Sequence, residues 1–233
     1  MRIAGHVYDV MTQAEIERIH SGALRILSEM GMEVQNRTLL DRFAAYGFPI
    51  DERAERVRFP SRLIESFIAD SDKHEWNTAR ASITASAGIY EGLYHDPETG
   101  KLVPWDEEKL AFYCSLARQL PRIKTACVLG SRIPCSNGLD PLFERYYAWK
   151  YGALEFGSLH AESLDPYLLE LYQLRADQLG KTVSEVFRGE INAISALKLG
   201  RPEAAHIVYF MDHGLRVIVG GGLGSHGPGI PHR

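Results

Sequence analysis

The chain has 233 residues, enough for one sizeable domain or two small ones. Hydrophobic residues make up 45% and charged residues 24%, values typical of folded globular proteins rather than of disordered chains. The formal net charge is -4 and no stretch of Lys and Arg is clustered. We therefore expect neither nucleic acid nor an anionic membrane surface as a partner.

Cysteine usage and the first residues bear on the compartment. Cys114, Cys127 and Cys135 form neither a CxxC pair nor an even set, which favours a reducing compartment over a disulfide framework. Residues 1–10 lack the apolar core of a signal peptide, and no later apolar run approaches the roughly 18 residues of a membrane span. The sequence predicts a cytoplasmic protein without a targeting signal.

The N-terminal part begins with a strong helix pattern. Thr12 and Glu15 have the spacing of a capping box, apolar residues then recur on one helical face, and Gly31 supplies a left-handed end. Further predicted elements are a short helix between Asn36 and Gly47, a strand at 57–59 and a helix after Pro60. Residues 75–103 have a β-like pattern, with a turn at 96–100 that contains Pro and Gly. Residues 1–104 are therefore predicted to form an α+β region.

After Trp105 the pattern becomes a regular alternation of helices and buried strands. Asp106 caps the first helix, and the predicted elements that follow are a strand at 123–129, a helix at 139–151, a strand at 153–158, a helix at 166–179, a strand at 190–195, a helix at 202–213 and a strand at 216–220. The strands recur about every 30 residues, which is the repeat of a βα unit and predicts parallel strands with helices outside. This local pattern fits a doubly wound sheet and a barrel equally well.

Several segments together point to a known family. They are the opening helix Thr12–Gly31 with Val34 and Leu39 after it, and the segments Asp96–Leu110, Leu116–Ile123, Ile191–Ala204 and Tyr209–Gly220. This combination resembles the trimethylamine methyltransferase family of corrinoid-dependent enzymes. Asp96–Leu110 resembles the boundary where these proteins pass from an N-terminal cap to a barrel.

The resemblance implies an α/β fold: a partial TIM-type (βα) barrel of the first four βα units, preceded by an α+β N-terminal cap. Residues 1–104 would form the cap, and residues 105–233 the first half of the barrel. A complete barrel takes about 250 residues, and the prolines and glycines of residues 225–233 do not suit a further helix. We therefore expect a truncated chain, with the second half missing or supplied by a partner.

Polar residues that follow the predicted strands are candidates for function, because barrel active sites lie on the loops after the carboxyl ends of the strands. The rule selects Ser131 and Arg132, His160 and Glu162, Ser195 and Lys198, and residues 221–226. Alternation along the strand allows Asn192 to face the lumen. Such loops are polar in any protein, so each of these residues also has a purely structural interpretation.

Two motifs resemble those of other enzyme classes, but the residues that should accompany them are absent. His160 and Glu162 have the His-x-Glu spacing of zinc deaminases, but no Pro-Cys-x-x-Cys follows, and the resembling family implies no metal. Residues 222–227 match G-x-G-x-x-G, but the chain leaves no room for the helix and the acidic residue that dinucleotide binding requires. We interpret Gly221, Gly222 and Gly224 instead as a turn that leaves space for a bulky cofactor.

The resemblance implies a reaction in which a tertiary or quaternary methylamine, such as trimethylamine or glycine betaine, gives a methyl group to the Co(I) of a corrinoid (cobalamin) carried by a partner protein. Aromatic walls suit a methylated ammonium through cation–π attraction, and the candidates by type are Tyr90, Tyr94, Trp105, Phe156 and Tyr209. The residues expected to bind substrate are His160, Glu162, Asn192, Ser195 and Tyr94. The three glycines are expected to lie near the corrinoid.

Two alternatives remain at the level of sequence. The first is a catalytically inactive remnant that acts as a binding or assembly module, since the open edges of a half barrel recruit other chains, and a homodimer could close the ring. The second is an unrelated α/β enzyme with a flat sheet and a ligand at a topological switch point.

Overall fold

A computed structural model of the chain describes residues 11–70, 85–88, 93–127, 138–152, 159, 161–192 and 196–220. They fall into two compact units, one within residues 1–74 and 197–200 and the other within residues 75–196 and 201–233. Both units contain helices and small sheets, so the predicted mixed α/β class is confirmed. No sheet in the described ranges closes on itself, and the partial barrel stays a prediction.

The first unit packs three helices with a four-stranded sheet. Its elements are α1 (Gln13–Glu29), β1 (Met32–Val34), α2 (Arg37–Ala45), β2 (Ile50–Asp51), β3 (Arg56–Val57), α3 (Ser61–Asp70) and β9 (Lys198–Leu199). The strand order is β2-β3-β1-β9, with β1 antiparallel to β3 and parallel to β9. The strand predicted at 57–59 thus lies slightly earlier, and β9 was not predicted at all.

Local sequence signals explain the helices of this unit. The Thr12 hydroxyl accepts a hydrogen bond from the Glu15 amide at 3.3 Å, and the Glu15 carboxylate accepts one from the Thr12 amide at 2.8 Å, which completes the predicted capping box. Asn36 caps α2 by accepting from the Leu39 amide at 3.0 Å. Gly31 has a φ of +66°, and a Cβ there would lie 2.1 Å from the Val57 carbonyl oxygen, so both conformation and space require glycine.

The second unit contains the remaining elements. They are β4 (Ala85–Gly88), β5 (Leu93–His95), β6 (Leu102–Pro104), α4 (Glu107–Gln119), β7 (Ile123–Cys127), α5 (Asp140–Tyr151), a 3-10 turn (Glu162–Leu164), α6 (Asp165–Leu179), α7 (Val183–Val186), β8 (Gly189–Asn192), α8 (Arg201–Asp212) and β10 (Val217–Gly220). All four helices predicted after Trp105 are present within one residue of the predicted starts. The strand predicted at 153–158 lies outside the described residues.

Three strand pairs make up the β-structure described in this unit. β5 and β6 form the antiparallel hairpin predicted around the turn at 96–100. β8 and β10 are parallel and are joined through α8, as a βα repeat requires. β4 is parallel to β7, a pairing that the sequence did not predict, and it places residues 85–88 with the second unit although they precede residue 104.

Aromatic side chains form much of the core of the second unit. Trp105, Leu110 and Cys114 are buried together with Tyr147 and Ala148 from α5. A second group follows along the chain, with ring centroids 5.0 Å apart for Tyr172 and Phe187 and 4.6 Å apart for Phe187 and Phe210. These contacts join α6, α8 and the segment that leads into β8.

Candidate functional site

One of the predicted site residues, Asn192, lies at the carboxyl ends of β8 and β10. Asn192 and Gly220 are register partners in the parallel pair, so both strands end at the same edge. A Cβ on Gly220 would lie 2.3 Å from Asn192 Oδ1, so the carboxamide lies directly over the Gly220 Cα. This edge therefore presents an amide that can donate and accept hydrogen bonds, at the position where (βα) folds hold their ligands.

The segment that precedes the 3-10 turn borders the same strand. The amide of the buried Leu159 donates a hydrogen bond to the Glu190 carbonyl in β8 at 3.2 Å. Glu162 opens the 3-10 turn and its side chain is exposed. His160, Ser195, Gly221, Gly222 and Gly224 lie outside the described residues, as do Ser131 and Arg132. Their proposed roles therefore stay predictions, and so does that of Glu162.

Tyr94 packs against an aromatic ring, and Lys198 forms an ion pair. The Tyr94 ring meets the Trp105 ring edge-on at 5.0 Å, and Trp105 meets Tyr113 at 5.8 Å. Trp105 is buried, and its indole Nε1 has no hydrogen-bond partner among the described residues. Lys198 belongs to β9 in the first unit, where its ammonium pairs with the Glu33 carboxylate at 3.0 Å.

A buried Asp165–His206 pair was missed by the sequence reasoning. Both carboxylate oxygens of Asp165 lie 2.8 Å from His206 Nδ1, and both side chains are almost completely buried. Asp165 is in the first turn of α6 and His206 is on α8, among the buried residues Ala204, Ile207 and Phe210. The sequence did contain a signal for the pair, namely a histidine within the apolar face of a helix. Its partner, Asp165, lies at the helix start Asp165-Pro166.

The geometry of the Asp165–His206 pair sets the hydrogen-bonding role of each imidazole nitrogen. A carboxylate that faces Nδ1 holds the proton on that nitrogen, which leaves Nε2 as a hydrogen-bond acceptor. His206 Nε2 is buried and finds no hydrogen-bond donor in the described parts of the chain. Nearby, burial and then the charge of Asp165 raise the pKa of Tyr209. The pair joins α6 to α8 and leaves one imidazole nitrogen without a hydrogen-bond partner among the described residues.

A buried arginine anchors the entry into β8. The Arg145 guanidinium donates from Nε to the Tyr172 hydroxyl at 3.0 Å and from Nη1 to the Pro141 carbonyl at 2.7 Å. Tyr172 in turn donates to the Arg188 carbonyl at 2.7 Å, directly before β8 begins. Side chains from α5 and α6 thus fix the residue that precedes the strand carrying Asn192.

Residues 2–85 match the family model described as trimethylamine methyltransferase (MTTB). This match supports the suspected family over that part of the chain. The match covers the N-terminal segment of the first unit and the start of the second, so the resemblance to MTTB rests on the N-terminal part of the chain. Comparison with curated proteins gives no match.

Two kinds of feature are absent from the described residues. No helix there is long and apolar enough to cross a membrane. No group of three or more His, Cys, Asp or Glu side chains in the same ranges could hold a metal ion. The MTTB match suggests methylamine methyltransferase activity.

Proposed function

We propose that the chain takes part in methyl transfer from a tertiary or quaternary methylamine to the cobalt of a corrinoid carried by a partner protein. The observation that supports this most directly is the MTTB match over residues 2–85. The parallel β8 and β10, joined through α8, agree with the first part of a (βα) barrel. The carboxyl edge with Asn192 is the expected side for substrate.

The reaction makes modest demands on the protein. The methyl carbon forms a bond to Co(I) as its bond to nitrogen breaks, and the electron pair of the broken C–N bond stays on the departing amine. A quaternary ammonium leaves as a neutral tertiary amine. A tertiary amine reacts as its protonated ammonium form and leaves as a neutral secondary amine, so in neither case must the protein supply a proton during the transfer. The chain must bind the amine, align its methyl group and exclude water, which are effects of position and orientation.

Asn192 is the described residue that we assign to substrate positioning. Its carboxamide lies over Gly220 because glycine leaves the space that a side chain would fill. The amide can hydrogen-bond the carboxylate of a substrate such as glycine betaine through its NH2 group. The Asp165–His206 pair and Arg145 act in this account as anchors of the elements around β8 and β10.

A cobalt methylation assay tests the proposal. The purified chain is mixed with a corrinoid protein reduced to Co(I) and with trimethylamine or glycine betaine, and formation of methyl-Co(III) is followed by absorbance. We expect methylation that depends on the chain and falls at least about tenfold in Asn192→Ala, a loss of ~1.4 kcal/mol in the transition state. A folded chain that methylates cobalt with neither amine would contradict the proposal.

A binding or assembly module is the second candidate. The observation in its favour is β10, where Ile218 and Val219 are both more than half exposed, although the sequence predicts a buried strand. Exposed apolar strands tend to pair with another chain. Stable binding of the corrinoid protein without any methylation would support this candidate over the enzyme.

A further inference from the structure

Gly220 is the last residue of β10, and its backbone does not require a glycine. In contrast to Gly31, its φ lies outside the left-handed region, so the backbone also accommodates alanine. A glycine within a strand weakens the strand, and it often marks a place where another group closely approaches the backbone. The space above the Gly220 Cα, rather than its backbone angles, explains a glycine at this position.

The carboxamide of Asn192 fills this space. A Cβ on Gly220 would lie 2.3 Å from Asn192 Oδ1 and 3.4 Å from Asn192 Cγ, and the next atom is the Ile191 carbonyl oxygen at 3.6 Å. Nδ2 is not among these three nearest atoms, so the NH2 group lies farther from Gly220 than Oδ1 does. Since contacts between carbon and oxygen begin at about 3.3 Å, an alanine at this position would displace Oδ1 by about 1 Å.

The backbones of the two strands are held more firmly than this side chain. β8 and β10 are paired at four consecutive positions, residues 189–192 with residues 217–220. In addition, the Glu190 carbonyl accepts a hydrogen bond from the Leu159 amide at 3.2 Å. The Asn192 side chain is only half-buried and can rotate about two bonds. When the glycine is enlarged, the carboxamide therefore gives way before the backbone does.

A displacement of this size matters for a reaction that depends on alignment. Misplacement of a group by about 1 Å can lower a rate by up to about 100-fold. The carboxamide cannot contribute more than its own removal costs, which we expect to be about tenfold in Asn192→Ala. The loss caused by its displacement should therefore approach tenfold and should not exceed it.

We propose that Gly220 is a positioning residue of the methyl transfer site, which keeps the Asn192 carboxamide in place for the substrate by leaving the space over its own Cα open. This inference rests on the proposed function, because it needs Asn192 to act on a substrate. Gly220 contacts no reacting atom and acts only through Asn192. The two residues are therefore coupled, and an alanine at position 220 lowers the rate only while the carboxamide is present.

A double-mutant cycle in the cobalt methylation assay tests this coupling. The kcat/KM of the full chain is compared with that of Gly220→Ala, of Asn192→Ala and of the double variant. We expect each single variant to lose about tenfold, and the double variant to lie within about twofold of Asn192→Ala. Unchanged activity in Gly220→Ala would overturn the proposal. An equal loss with and without the carboxamide would also overturn it, because the alanine would then obstruct the substrate itself.

Gly138→Ala is the matched control. A Cβ on Gly138 meets nothing within 4 Å, and its φ is also outside the left-handed region. This variant should keep its activity within about twofold. The urea midpoints of both glycine variants should lie within about 0.3 M of the unchanged chain, so that lost activity reports on position rather than on folding. A larger fall for Gly220→Ala would mean that the backbone gives way instead of the carboxamide, which would contradict the proposal.

Nuclear magnetic resonance tests the placement of the carboxamide without turnover. In a chain with isotopically labelled asparagine side chains, the NH2 signal of Asn192 is the one that disappears in Asn192→Ala. We expect this signal to shift in Gly220→Ala and to stay in place in Gly138→Ala. An unshifted signal in Gly220→Ala would overturn the proposal, even in an active chain. A shifted signal in a chain that methylates no cobalt would instead contradict the proposed function, so the two failures are distinguishable.

Discussion

Removal of the His206 imidazole should destabilise the second unit more than any surface change. In His206→Ala the Asp165 carboxylate stays buried and loses the nitrogen that lies 2.8 Å from both of its oxygens. Breaking a buried pair by removing one partner costs about 3–5 kcal/mol. The N-terminal position of Asp165 on α6 offsets part of this, about 0.3–1 kcal/mol, through the helix dipole. We expect a net loss of about 3–4 kcal/mol.

His206→Asn is the matched variant. The asparagine Nδ2 takes the place of histidine Nδ1, so it keeps a donor to Asp165 while it removes Nε2. Because one good hydrogen bond is kept, the loss should be only about 1 kcal/mol. Urea unfolding followed by tryptophan fluorescence measures both, and with a slope of about 2 kcal/mol per M the midpoint should fall by about 1.5–2 M for alanine and about 0.5 M for asparagine. Equal midpoints for the two variants would refute the stabilising role of the pair.

Three further predictions concern other contacts. Gly31→Ala should destabilise the first unit by more than about 1 kcal/mol, measured by urea unfolding, since its φ is +66° and a Cβ would meet the Val57 carbonyl. Burial raises the pKa of Cys114 to about 11, so at pH 8 mass spectrometry should show it alkylated by iodoacetamide about 100-fold more slowly than in the urea-unfolded chain. Hydrogen bonds from Lys150 and Tyr151 hold the pKa of Glu107 below its usual 4.5, so its stabilising effect is present above pH 4.5 and is lost as the pH falls further. The difference in melting temperature between the chain and Glu107→Gln should therefore be largest near pH 7 and shrink towards pH 3.

Local signals were enough to predict the helices. Thr12, Asn36 and Asp106 each accept a hydrogen bond from the amide three residues further on, as their spacing predicted. These caps depend on chemistry within one turn of helix, which the sequence displays directly. The four-residue helix α7 was missed although Thr182 and Glu185 form a capping box, because so short a helix has no apolar periodicity.

Strand partners were harder to predict than strands. The sequence placed residues 85–88 in a β-like region, but their parallel pairing with β7 spans the β5–β6 hairpin and α4. Likewise β9 pairs with β1 more than 150 positions away, which no local pattern encodes. Register over such distances depends on tertiary packing, so this part of the fold required the structure.

The candidate site was predicted only in part. Alternation allowed Asn192, within the strand predicted at 190–195, to face the lumen. In the structure Asn192 is the last residue of β8 and lies over Gly220, and its role in binding stays a prediction. Asp165 and His206 are 41 positions apart, and only the packing of α6 against α8 brings them together. A rule that looks for polar residues after strands does not select two residues on helices.

The central claim is methyl transfer to cobalt, and a labelled methyl group tests it most directly. The chain is incubated with a Co(I) corrinoid protein and with deuteromethyl trimethylamine or glycine betaine, and the corrinoid is then analysed by mass spectrometry. We predict deuteromethyl-cobalt with one of the two amines, formed only when the chain is present and reduced at least about tenfold by Asn192→Ala. Unlabelled corrinoid with both amines, from a chain that is folded and binds the corrinoid protein, would contradict the account.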